Sequence, residues 1–223
     1  MQRLKIVSAS LACAFVLGVP STALAQASQA GRTAMASSEA AATLKQDMRK
    51  LWTDHVVWTR DYIVAALGDH AGTQASANRL LKNQEDIGNA VAKFYGDAAG
   101  KQLTTLLKEH ITIAVDVVKA AKAGDKAGLQ KADGRWQQNG EQIADFLSKA
   151  NPHWPRATLA EMMKMHLSTT TNEVVARLNK DWEGDIRAYD VVYDHIIKMA
   201  DALSDGIVKQ FPDKFGATSS SSR

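Results

Sequence analysis

The chain has 223 residues, of which 45% are apolar and 23% charged, with 14 Gly, 4 Pro and 1 Cys. That length carries one substantial core or two small ones, and the composition excludes a collagenous, disordered or disulfide-stapled protein. The formal net charge is +3, and part of it is N-terminal. Arg3 and Lys5 precede a mostly apolar run from Ile6 to Val19, and Ala23, Leu24 and Ala25 follow as a small-x-small site. The pattern predicts a Sec-type signal peptide over 1–25, too short and wrongly flanked to span a membrane, cleaved before Gln26. Removing 25 of the 223 residues leaves 198, with a net charge of +1 and no cysteine. A near-neutral chain argues against a nucleic-acid partner. The missing cysteine excludes disulfides, thiolate metal sites and a cysteine nucleophile. The expected location is periplasmic or secreted, with no transmembrane anchor in the mature chain. A lipid anchor on Cys13 is the competing reading, but Ser10 stands where a lipobox usually carries Leu.

Taken in chain order, residues 26–37 are rich in Ala, Ser, Gly and Thr without apolar periodicity, and read as a flexible leader. A single helical-bundle domain follows over 38–215, and 216–223 is a Ser-rich tail expected to be disordered. No proline occurs between Gln26 and Asn151, and apolar residues recur at steps of three and four. Six helices are expected, at 38–67, 75–95, 99–123, 126–149, 156–178 and 182–211. Gly68, Gly96 and Gly124 are placed to end helices in the left-handed conformation, with Asp97 and Asp125 as N-caps of the next. Asn151 to Pro155 makes one proline-marked corner, and Asn179 to Asp181 a weaker break between the last two helices. Short connections predict an all-α, up-and-down bundle without sheet. No period of 20–50 residues repeats, which counts against a solenoid.

The informative residues are the polar ones on the apolar seams. His55, His110 and His166 occupy core-facing slots, and His195 flanks the seam that runs from Trp182 through Asp185 and Tyr189 to Leu203. Each histidine lies within about one turn, roughly 5 Å, of its helix centre. In an up-and-down bundle the four imidazoles therefore share one depth. Asn83, Gln84 and Asp86 on the second expected helix and Asn139 on the fourth lie at similar mid-helix positions.

Such a layer has two readings. One is a metal or haem site at the bundle centre, with Asn139, Asp185 and Tyr189 holding the imidazoles from behind. The other is a hydrogen-bonded polar layer that fixes helix register. A ferritin-like di-iron site is disfavoured, because Glu109 and Asp54 immediately precede their histidines and point about 100° away. Met162, Met163, Met165 and His166 suit Cu(I) by ligand type, although methionine is also a common filler of helical cores. The acidic run Asp181, Glu183, Asp185, Asp190 and Asp194 reads as a solvated face, except Asp185 on the seam. Asp185 can pair with a histidine or with an arginine such as Arg177.

The segments Leu51 to Arg60, Leu80 to Gly88, Phe94 to Gly96, Leu106 to Ile111, Val175 to Trp182 and Gly206 to Phe215 together resemble a family of uncharacterised bacterial exported helical proteins. The resemblance spans most of 51–215. Some members carry the labels glycosyltransferase or acetylglutamate kinase, activities that normally need an α/β sheet with a nucleotide-binding switch point. It transfers no catalytic or cofactor-binding residue. Two functions follow as expectations. The first is a non-catalytic exported bundle acting through binding or envelope stress protection. The second is a bundle that takes a transition metal, haem or small ligand at His55, His110, His166 and His195.

Overall fold

The structure of the protein, a computed structural model, describes residues 21–216. Residues 1–20 of the expected signal peptide, Cys13 among them, and 217–223 of the expected tail lie outside the described residues. Six α-helices follow one another: α1 (Ser21–Leu67), α2 (Thr73–Tyr95), α3 (Asp97–Ala123), α4 (Lys126–Ala150), α5 (Arg156–Leu178) and α6 (Trp182–Gln210). A 3-10 turn (Pro212–Phe215) ends the domain, and no strand occurs among the described residues. The protein is an all-α bundle.

Helix α1 is longer than expected and takes in 26–37, which corrects the reading of that stretch as a flexible leader. The cause is local: the stretch is alanine-rich and lacks proline, and alanine is the best intrinsic helix former. The expected cleavage point before Gln26 falls within this helix.

The helix ends follow backbone chemistry, with two shifts. Gly124 sits at φ 67 and closes α3 in the left-handed conformation, and Asp125 then accepts the Gly128 amide at 2.9 Å to cap α4. Asp181 caps α6 in the same way, accepting from the Gly184 amide at 2.9 Å. After α1 the left-handed residue is Asp69, at φ 55, rather than Gly68. Asp97 is the first residue of α3 rather than its cap, which is Gly96. The break after Leu178 is real, with Lys180 at φ 58, so α5 and α6 are separate helices.

Each helix packs on the next, and α6 returns to α1, which closes the ring; α1 also meets α3 and α5 across the centre. The ring consists of three helical hairpins, α1–α2, α3–α4 and α5–α6, repeating every 55 or 56 residues. Equivalent positions share one fate. Val56, Ile111 and Leu167 are all buried, as are Ile63, Val118 and Val174, Ile87, Ile143 and Met199, and Val91, Leu147 and Leu203. The hairpin turns spell the same repeat: Gly68-Asp69 with Gly72, Gly124-Asp125 with Gly128, Lys180-Asp181 with Gly184. This period exceeds the 20–50 residues of solenoid repeats.

Along α1, Met48, Trp52 and Val56 join the largest apolar cluster, while Tyr62 and Ile63 belong to a smaller one. His55 lies among the first group, one helical turn after Trp52, where a polar layer interrupts the apolar stacking. Trp182 departs from its expected seam: it is exposed and lies under the Arg177 guanidinium, 5.5 Å from the ring centre.

Candidate functional site

The pseudo-threefold repeat brings His55, His110 and His166 to the centre from α1, α3 and α5. All three are buried, at 2 to 4% exposure. The His166 ring lies 5.6 Å from His55 and 5.9 Å from His110 between centroids, and His195 of α6 also stacks on it at 6.5 Å. The four imidazoles placed at one depth by the sequence therefore meet through His166, which contacts each of the other three. Trp52 meets His55 edge-on at 5.6 Å, and Trp136 covers His110 at 5.3 Å.

The hydrogen bonds fix several protons. Asn139 donates its amide to the Leu106 carbonyl at 3.1 Å, so its Oδ1 faces His110 and accepts from Nδ1–H at 2.8 Å. His110 Nε2 is then a bare lone pair. Asn83, one repeat earlier, donates to the Leu51 carbonyl at 3.0 Å. One repeat later the position is His195, and its Nε2–H donates to the Met162 carbonyl at 2.9 Å. All three hairpins thus tie the second helix to the first through the same carbonyl position, but only the second also returns an acceptor to its central histidine. His55 Nδ1 meets Gln84 Nε2 at 3.3 Å, although the two hydrogens of that amide also serve Leu80 and Asn83 oxygens at 2.8 and 3.1 Å. His166 Nδ1 is buried and has no partner.

That orphan has company. Gln84 Oε1, Trp52 Nε1 and Trp136 Nε1 are also buried without partners, so four of the five orphaned side-chain atoms among the described residues surround this layer. Each costs about 1–3 kcal/mol in a folded protein, and their concentration in one layer is not a packing optimum. Beside them is a cavity of about 30 Å³, lined by the three histidines, Trp136 and apolar residues including Ile63, Leu80 and Val174. One water needs about 10–15 Å³ on this measure, so the space admits one or two small species. A porphyrin does not fit.

Burial keeps the imidazoles neutral. Desolvation, with the neighbouring His110, pushes His55 down to about 3, and desolvation takes His110 down to about 4 despite Asn139. His166 is lowered well below its ordinary value by desolvation and by the other three rings. At neutral pH the layer offers lone pairs without charge.

Two of the expected supporting residues lie elsewhere. Asp185 is buried but bonds to Arg60, to Nη1 and to Nη2 at 2.7 Å, and to Arg177 at 2.8 Å. Glu173 joins this cluster, accepting from Arg60 at 2.9 Å. A carboxylate finds a fixed guanidinium a better partner than a neutral imidazole, which is why Asp185 leaves the layer. Desolvation alone would raise Asp185, but the arginine hydrogen bonds outweigh it and hold the carboxyl below its usual range. Burial carries Glu173 the other way, up to about 6. Tyr189 is half-buried and lies under Arg60, 5.4 Å from the guanidinium, not against a histidine. Asp86 is half-exposed and pairs with Lys82 at 3.0 Å. Asn139 alone of the three named supports touches the layer, joined by Gln84.

As the rings stand, no group of three or more His, Cys, Asp or Glu among the described residues is arranged to hold a metal ion. Loading one requires the imidazoles to turn about their side-chain bonds. Among the described residues no helix is long and apolar enough to cross a membrane. No family model matches the chain, and no curated protein and no solved structure matches it.

Proposed function

We propose that the protein is an exported, non-catalytic bundle that binds one borderline transition-metal ion, such as Zn²⁺, in its central histidine layer. The observation that carries the reading is the buried, unpartnered His166 nitrogen, on a ring that contacts the His55 and His110 imidazoles and helps line a small cavity. Neutral imidazoles are good ligands for Zn, Cu and Ni. Asn139 supplies what a ligating histidine needs on its far side, an acceptor for Nδ1–H that leaves Nε2 free for the ion. The burial of His55, His110 and His166 and the small size of the cavity support binding of a small species over turnover of an organic substrate. Export is supported by the charge, apolar run and cleavage pattern of 1–25.

Titration of the metal-free chain with Co²⁺, followed by visible absorption, tests this. The expected result is uptake of one equivalent with the intense bands of a low-coordinate site, lost in His110→Gln while helical circular dichroism persists. A native protein that takes up no Co²⁺ contradicts the proposal.

A further inference from the structure

The third hairpin departs from the repeat in a way that the central layer does not use. Where the first two hairpins carry Asn83 and Asn139, the third carries His195, and this ring is half-buried rather than sealed. It lines an open surface groove of about 510 Å³ together with Met162, Met165, Glu161, Thr158 and Ala157. Met162 and Met165 are three residues apart on α5, which puts both thioethers on one helix face. Met165 is 47% exposed, so core packing does not explain it. His195 commits Nε2–H to the Met162 carbonyl, which leaves Nδ1 as a free lone pair. The same ring stacks on His166 at 6.5 Å.

We infer that this groove is a capture site for a soft monovalent ion, Cu(I), held by the Met162 and Met165 thioethers and His195 Nδ1. Thioether and imidazole together select Cu(I) over hard cations and over the borderline divalent ions that imidazoles alone prefer. Cu(I) accepts two or three such ligands without a fixed polyhedron, so a groove wall is a sufficient scaffold. Lys164 and Lys198 are exposed in the adjoining helices, and Glu161 is the one carboxylate on the groove wall. The groove also lies one imidazole away from the buried layer, through His195 and His166. Its role as an entrance to that layer rests on the function proposed above, whereas its affinity for Cu(I) does not.

Anaerobic titration of the full chain with Cu(I) against a chromogenic Cu(I) chelator reads the affinity. The substitution His195→Asn restores the residue of the other two hairpins, and Met165→Leu keeps volume at an exposed position. Both are therefore expected to keep the helical signal. The proposal expects one equivalent of Cu(I) captured by the native chain and at least tenfold weaker capture in each variant. In His110→Gln, capture stays unchanged. Absence of capture, capture that survives both substitutions, or capture lost in His110→Gln overturns the groove assignment. Co²⁺ uptake reports separately on the layer: no Co²⁺ uptake beside intact Cu(I) capture removes the entrance role and leaves the groove site.

Discussion

At the scale of single residues, the chemistry turns on what stands behind each central histidine. His110 has Asn139, His55 has the overcommitted Gln84, and His166 has nothing. Asn139→Leu removes the acceptor for His110 and the donor to Leu106 in one step, and is expected to cost about 1–3 kcal/mol in denaturant unfolding. The same layer sets the acid response. The folded state holds His55 at about 3 and His110 at about 4, below the ordinary value of 6.5, so the unfolded chain binds more protons in between. Stability is therefore full above about pH 6.5 and falls as pH drops towards 4–3, by up to about 1.4 kcal/mol per pH unit for each histidine. Glu173, raised from 4.5 to about 6, works in the opposite direction between those values and offsets part of the loss. Chemical denaturation at pH 7 and pH 5 checks the sign: a chain equally stable at both contradicts the buried neutral layer. Sequence spacing alone brought these rings to one depth. It did not place Asp185, because the competition between a guanidinium and an imidazole for a carboxylate is decided by three-dimensional proximity to Arg60.

At the scale of helices, two contacts decide how closely the ring closes. Gly88 and Gly100 let α2 and α3 cross so tightly that a Cβ on Gly100 would stand 2.6 Å from the Gly88 carbonyl oxygen and 2.7 Å from the Ala92 Cβ. The obstacle is backbone, so Gly100→Ala is expected to part the helices and cost about 1–3 kcal/mol, as overpacking does. Elsewhere α1, α5 and α6 are tied by Arg60 to Glu173 and Asp185. Arg60→Met leaves both buried carboxylates short of their main counter-charge, and a loss of about 3–5 kcal/mol in thermal or chemical unfolding is expected. A loss below about 1 kcal/mol would mean that Arg177 alone satisfies the cluster. Helix boundaries were legible because glycine, aspartate and proline terminate helices through local chemistry, and α2 to α6 lie within about two residues of their expected ends. The start of α1 was not legible as helix, since a small-residue stretch without apolar periodicity gives no seam to read.

For the whole molecule, the three-hairpin repeat explains why one layer is polar. A ring of three equivalent hairpins brings equivalent residues to the centre, so one histidine per hairpin becomes a layer in which His166 contacts both His55 and His110. The repeat was present in the sequence as the aspartates and glycines of the hairpin turns (Asp69 with Gly72, Asp125 with Gly128, Asp181 with Gly184) and the 55–56-residue histidine spacing, but most equivalent positions keep only burial, not identity. The departures from it are therefore the places where function is read: Gln84 beside Asn83, and His195 in place of Asn. Anomalous diffraction at the zinc edge, from crystals of the full chain grown with Zn²⁺, shows whether the histidine layer holds an ion. One peak is expected, within about 2.0–2.1 Å of nitrogens from His55, His110 and His166. A well-ordered histidine layer without such a peak, in crystals that carry zinc elsewhere or not at all, contradicts it.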